Sequence, residues 1–153
     1  MASVVHCNNA WWSALDLRVL SKDQVEVLHT IEYLFDLYLD DRTKVTLPVL
    51  VSKGFVCDLA SIPAWARSML PSKIKTAPAS ILHDWLYRYA QNERKHFDKY
   101  GVELTRYTAD TLFECLLRED PDVSALSARL MRFGVRLGGS RIWNWYRKLE
   151  GIV

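Results

Sequence analysis

The rhythm of hydrophobic and polar positions changes along this chain. In residues 25–39, VEVLHTIEYLFDLYL, β-branched and aromatic residues partly alternate with polar ones. That is the period-two signature of a half-buried strand. Leu28, Ile31, Leu34 and Phe35 also suit helical spacing, so a helix stands as the alternative, with a strand preferred. DDRT at 40–43 signals a turn, and KVTLPVLV resumes the strand pattern. Pro48 puts this second strand at a sheet edge or a bulge, because proline cannot donate to a ladder. Residues 52–75, punctuated by Gly54, Pro63 and Pro71, read as a long loop with one short helical turn. Loops of that length in a compact domain are often functional.

The spacing then becomes helical. Residues 77–92 place Leu82, Trp85, Leu86 and Tyr89 on one face, with Pro78 in the first turn, where proline is tolerated. Residues 93–104 are polar and read as a loop. Thr108 is the predicted cap of a helix reaching about Glu119, which buries Leu112, Phe113, Leu116 and Leu117. Another helix starts at Pro121 with Leu126, Leu130 and Phe133 inward. Gly138 and Gly139 end or kink it. A last short helix carries Ile142, Trp143, Tyr146 and Leu149. The predicted fold is therefore α+β, a small antiparallel sheet from residues 10–55 packed on about four helices. Residues 1–153 form a single domain, with a strand-rich part (1–55), a loop (56–75) and a helical part (76–150).

Composition narrows the class. The 153 residues are half hydrophobic and a quarter charged, which excludes a mainly disordered chain. The net charge of +2 gives no argument for nucleic acid or an anionic membrane. Cys7, Cys57 and Cys115 are too few and too widely spaced for a disulfide framework or a zinc knuckle. They fit free thiols in a reducing cytoplasm. No apolar run reaches the roughly 18 residues of a membrane span, and the start MASVVHCNNAWW lacks a secretory layout. A protein made in the cytoplasm is expected.

Four polar residues stand among apolar neighbours: Asp58 in FVCDLASIP, His83 and Asp84 in SILHDWLYRY, and Asp110 in YTADTLFECL. A buried carboxylate is costly unless it meets a cation, a metal or several donors. Four such positions in one domain therefore point to a shared polar site. His83 and Tyr87, four apart, share a helix face, and Asp84 sits about 100° round from His83. A contact between His83 and Asp110 across two packed helices would fix the imidazole tautomer and leave its other nitrogen to activate water. Asp84 could hold a hard cation with backbone oxygens, the cation polarising a carbonyl or phosphoryl group. The plainer alternatives are a core histidine for His83, a dipole-complementing helix start for Asp110 and a turn cap for Asp58. Ser61 reads as an N-cap, since no elbow glycines flank it. Cys57 and Cys115 read as packing, and His6, His29 and His96 show no metal spacing.

The C-terminal stretch RLMRFGVRLGGSRIWNWYRK interleaves Arg129, Arg132, Arg136, Arg141, Arg147 and Lys148 with aromatic residues. It reads as an amphipathic helix with a solvated basic face, and Trp145, off the apolar side, is the residue placed to touch a partner.

Two resemblances rest on these residues. Gly54-Phe55, Asp58, Ala60 to Pro63, His83-Asp84, Leu86-Tyr87, Ala109-Asp110, Phe113, and Val135-Arg136 with Gly138 resemble a mainly phage- and prophage-encoded family, domain of unknown function 1353, over residues 45–145. That resemblance implies a viral or prophage origin and no agreed activity. HDWLY with the later Ala109-Asp110 and Phe113 is also similar to the H-D-x-x-Y active-site helix of the phospholipase A2 group. It implies His83 as general base, Asp84 as a calcium holder, Asp110 as the orienting carboxylate and Tyr87 as its support. The glycine-rich calcium loop of that group is absent; GFVCDLASIP stands in its place, where the resemblance implies Asp58 as a metal ligand in place of a loop carbonyl. Together these readings suggest a phage-encoded accessory protein with a metal-assisted hydrolase site. Its bond would be an ester or amide in lipid or cell envelope. Calcium is the first expected metal, with zinc, manganese or magnesium open. The competing class is a virion or tail-assembly component whose buried network only fixes the fold. Expected partners are other phage proteins or envelope lipid, met through the C-terminal helix. The expected location is the host cytoplasm at synthesis, with incorporation into the virion possible.

Overall fold

The structure, a computed structural model, describes residues 1–59 and 76–151. The predicted helical turn after Ser61 and most of the predicted loop lie outside the described residues. Among the described residues, six strands precede four helices: β1 (Val4–Trp12), β2 (Leu17–Ser21), β3 (Gln24–Val27), β4 (Ile31–Leu39), β5 (Lys44–Val51), β6 (Val56–Asp58), α1 (Ala77–Arg88), α2 (Ala90–Lys99), α3 (Arg106–Arg118) and α4 (Ala125–Leu149). The class is α+β, as the periodicities predict. The strands form two antiparallel three-stranded sheets rather than one, ordered β1-β4-β5 and β2-β3-β6.

β4 decides between the two readings of residues 25–39. Ile31, Tyr33, Phe35, Leu37 and Leu39 are buried and the residues between them are more exposed, which is period two and not 3.6. β3 takes the start of the run, and Leu28 to Thr30 separate the two strands. Pro48 sits in β5, an edge strand, as expected of a residue without an amide donor. β1 begins at Val4, earlier than predicted. Register shifts between Val4 and His6 and between Cys7 and Asn9 break its alternation, so the strand leaves no clean pattern in the sequence. β6 replaces the start of the predicted loop by pairing with β3.

The helical part holds further corrections. Residues 90–99 form α2 despite their polarity, because Ala90 and Phe97 are enough to anchor one side. Thr105, not Thr108, caps α3: its side chain accepts from the Thr108 amide at 3.2 Å. Ser124 caps α4, so that helix does not start at Pro121. α4 runs unbroken for 25 residues through Gly138 and Gly139. Its inward residues include Ala128, Met131, Val135 and Trp143, whereas Leu126 and Phe133 face outward. The three cysteines are not all free. Cys7 on β1 and Cys115 on α3 form a disulfide, with Cα atoms 6.1 Å apart. Packing α3 on β1 brings together residues 108 apart in sequence, a proximity that spacing alone cannot reveal. Only the buried Cys57 is free.

α1 is pinned at its start by the buried Tyr33 hydroxyl, which donates to the Pro78 carbonyl at 2.8 Å. At its end, the buried Arg147 guanidinium donates to the Tyr87 carbonyl at 2.6 Å while stacking on Trp143. Arg147 thus caps α1 rather than joining a solvated basic face. These two anchors fix the helix that carries the site.

Candidate functional site

α1 presents Ser80, His83, Asp84 and Tyr87 at offsets of three, four and seven residues, which is one helical face. α3 crosses it with Asp110 and Phe113, and α4 closes the third side. His83 is 8 % exposed and Asp110 is fully buried. His83 Nε2 lies 2.7 Å from Asp110 Oδ1. The Tyr87 hydroxyl donates to the same oxygen at 2.8 Å, and Arg136 donates to Oδ2 at 3.3 Å. Both carboxylate oxygens are therefore served, and the guanidinium offsets the buried charge. With Nε2–H donating to Asp110, the Nδ1 lone pair is the ring's acceptor. Burial, and then the adjacent Asp110 charge, push the Tyr87 hydroxyl well above its ordinary pKa, so it stays a donor.

A cavity of about 110 Å³ opens beside this network. His83, Tyr87, Asp84 and Ser80 supply its polar side; Phe113, Val135 and Ile142 line the rest together with three glycines of α4. One of those glycines is required by the crossing. A Cβ on Gly139 would lie 2.7 Å from the Tyr87 hydroxyl oxygen, so any larger residue would push Tyr87 off Asp110. Ser80 was not singled out by the sequence. Its buried Oγ has no hydrogen-bond partner among the described residues, although it lines the cavity. Its position three residues before His83 is the signal that could have found it.

Asp84 is oriented differently. Arg88 stands 3.5 Å from Oδ2, too long for a good hydrogen bond, and that oxygen is buried without a hydrogen-bond partner. The Asp58 amide and the Cys57 thiol also contact the carboxylate. Burial raises the Asp84 pKa against these partners, and the buried Cys57 thiol is pushed up as well. Asp58 thus meets Asp84 through its main chain, and the structure does not bring its side chain to the cavity. Among the described residues no group of three or more His, Cys, Asp and Glu side chains is placed to hold a metal. One carboxylate already beside a guanidinium does not make the oxygen-rich cage that calcium takes. The described residues do not fit the expected cation.

The His–Asp distance alone does not distinguish this site. His29 and Asp16 also approach to 2.7 Å, but on the surface, where water competes for both. Burial, the additional donors and the adjoining cavity set His83 apart. His96 instead contacts the Pro48 carbonyl from α2.

Residues 34–135 match the sequence profile of the family described as "Protein of unknown function (DUF1353)", about two thirds of the chain. The chain belongs to that family. No curated protein and no solved structure matches it. No helix among the described residues is long and apolar enough to cross a membrane.

Proposed function

We propose that this member of the DUF1353 family is a hydrolase in which His83 activates water against an ester or amide carbonyl. The observation that carries this reading is the cavity that adjoins a buried, oriented imidazole. A network that served only the fold would be closed over. Asp110 holds Nε2–H and leaves Nδ1 to take a proton from water as the oxygen attacks the carbonyl carbon. The buried carboxylate stabilises the imidazolium that forms, and that imidazolium returns the proton to the leaving alcohol or amine as the carbonyl C–O or C–N bond breaks. Tyr87 and Arg136 hold Asp110 in place and touch no reacting atom. Ser80 Oγ, unpartnered at the cavity wall, is available to donate to a polar atom of the substrate. Phe113, Val135 and Ile142 favour an apolar acyl or side-chain group. A lipid or envelope component of a phage host is the substrate class consistent with that lining.

The structural alternative is favoured by one observation, the full satisfaction of Asp110. Alkylation by an apolar aryl haloketone, read by mass spectrometry, separates the two. His83 should be modified faster than the exposed His29, and short-chain ester hydrolysis should fall in step with modification. Asp110→Asn should slow both by at least about a hundredfold, as loss of an orienting carboxylate does. A His83 that reacts more slowly than His29 would remove the catalytic reading and leave the structural one.

A further inference from the structure

The side of α4 turned away from the core is unusual. Leu126, Phe133 and Leu137 are 66, 58 and 68 % exposed, and with the half-buried Leu130 they form one line at helical spacing. Single exposed leucines need no explanation, but an aligned row does. The same helix carries six cations and no acidic residue. Three are occupied: Arg132 with Glu114 at 3.0 Å, Arg136 with Asp110, and Arg147 with Glu150 at 2.8 Å. Arg129, Arg141 and Lys148 are exposed on either side of the apolar row. Beside the row, Arg129, Arg132 and Arg136 converge with Phe133 and Glu114 on a cleft of about 330 Å³. Three guanidiniums there meet two carboxylates, Glu114 at the cleft and Asp110 beneath it, which leaves Arg129 without an ion-pair partner among the described residues.

We propose that this face docks on an anionic lipid surface, with Leu126, Phe133 and Leu137 inserted and headgroup phosphates taken by the arginine cleft. The charges decide the occupant. A second copy packed on the same face would oppose two acid-free cationic helices. A nucleic acid would satisfy the arginines but leave the leucines in water. An anionic membrane surface satisfies both, since apolar side chains enter the headgroup boundary while flanking cations meet phosphates. Gly134 and Gly138, which line the catalytic cavity, lie on the flank of this helix, so docking would bring lipid beside that cavity. The docking surface does not depend on the hydrolase reading, because binding is measured without turnover.

The test is flotation of the full chain with vesicles of phosphatidylcholine alone and with added phosphatidylglycerol. Binding should appear with phosphatidylglycerol, fall with added salt and be weak on phosphatidylcholine. Phe133→Ser with Leu137→Ser should weaken binding at least about tenfold with melting unchanged. Arg129→Gln with Arg141→Gln should lower it on phosphatidylglycerol alone. Absence of binding to either vesicle would overturn the proposal, as would binding indifferent to both double variants. A dimer in solution that Leu137→Ser dissociates would also overturn it and assign the face to a second copy. Loss of vesicle binding with His83-dependent ester hydrolysis intact would defeat this inference and leave the hydrolase reading standing.

Discussion

Asp110 on α3 and Asp84 on α1 are both largely buried carboxylates, one bonded to His83 and the other next to it in sequence, yet they are served in opposite ways. Asp110 receives an imidazole, a hydroxyl and a guanidinium across its two oxygens. Asp84 keeps one oxygen without a hydrogen bond and holds its proton more tightly than an ordinary carboxylate. A fully donated carboxylate can stay charged beside a histidine and fix its tautomer, whereas a half-served one drifts toward its neutral form. The difference separates a group that can orient a general base from one that borders the same cavity without being prepared for a cation.

The largest expected effect breaks the better-served side. Asp110→Ala leaves Tyr87, His83 and Arg136 without their shared acceptor, and chemical unfolding should register a loss of about 3–5 kcal/mol. Asp110→Asn keeps the shape and should cost less stability while still removing the proposed hydrolysis.

The next effect acts through the helix crossing. Gly139→Ala should cost about 1–3 kcal/mol, because its Cβ would meet the Tyr87 hydroxyl at 2.7 Å. Gly138→Ala meets nothing within 4 Å and should gain up to about 1 kcal/mol from helix propensity. Thermal melts of the two neighbours should therefore move in opposite directions. If both destabilise alike, close contact with Tyr87 is not what requires glycine at 139.

The smallest effect probes Asp84 by pH. Its folded pKa lies above the ordinary 3.8, so the folded state binds the proton more tightly than the unfolded chain does. The stability contributed by the neutral carboxyl is present below 3.8 and is lost as pH rises through the folded value. Asp84→Asn lacks that loss. Its stability relative to wild type should improve as pH rises from below 4 towards neutrality. A relative stability independent of pH would mean that Arg88 fully supports the charge.

The site was more legible in the sequence than the frame around it. His83, Asp84 and Asp110 stood out because each occupied an apolar context, and the four-residue spacing of Tyr87 put it on the face of His83. That logic depends only on local helix geometry. What escaped depends on contacts between distant elements. The Cys7–Cys115 pairing needs α3 to lie on β1. α4 runs unbroken through a glycine pair that reads locally as a helix end, and the reason for Gly139 is the distant Tyr87 packed against it. The reversed polarity of α4 was hidden because its outward row is as apolar as a core-facing one. Asp58 shares the apolar sequence context of Asp84, yet the fold joins them through an amide rather than two carboxylates.

The central claim is that Asp110 fixes His83 with its Nδ1 lone pair free toward the cavity. Long-range ¹⁵N–¹H correlation spectra of the imidazole, taken on wild type and Asp110→Asn at neutral pH, test it most directly. The account predicts a single Nε2–H tautomer in the wild type, an unprotonated Nδ1 that responds to an added apolar ester analogue, and mixed tautomers in Asp110→Asn. A wild-type His83 protonated at Nδ1, or one whose Nδ1 signal ignores every added analogue, would contradict it.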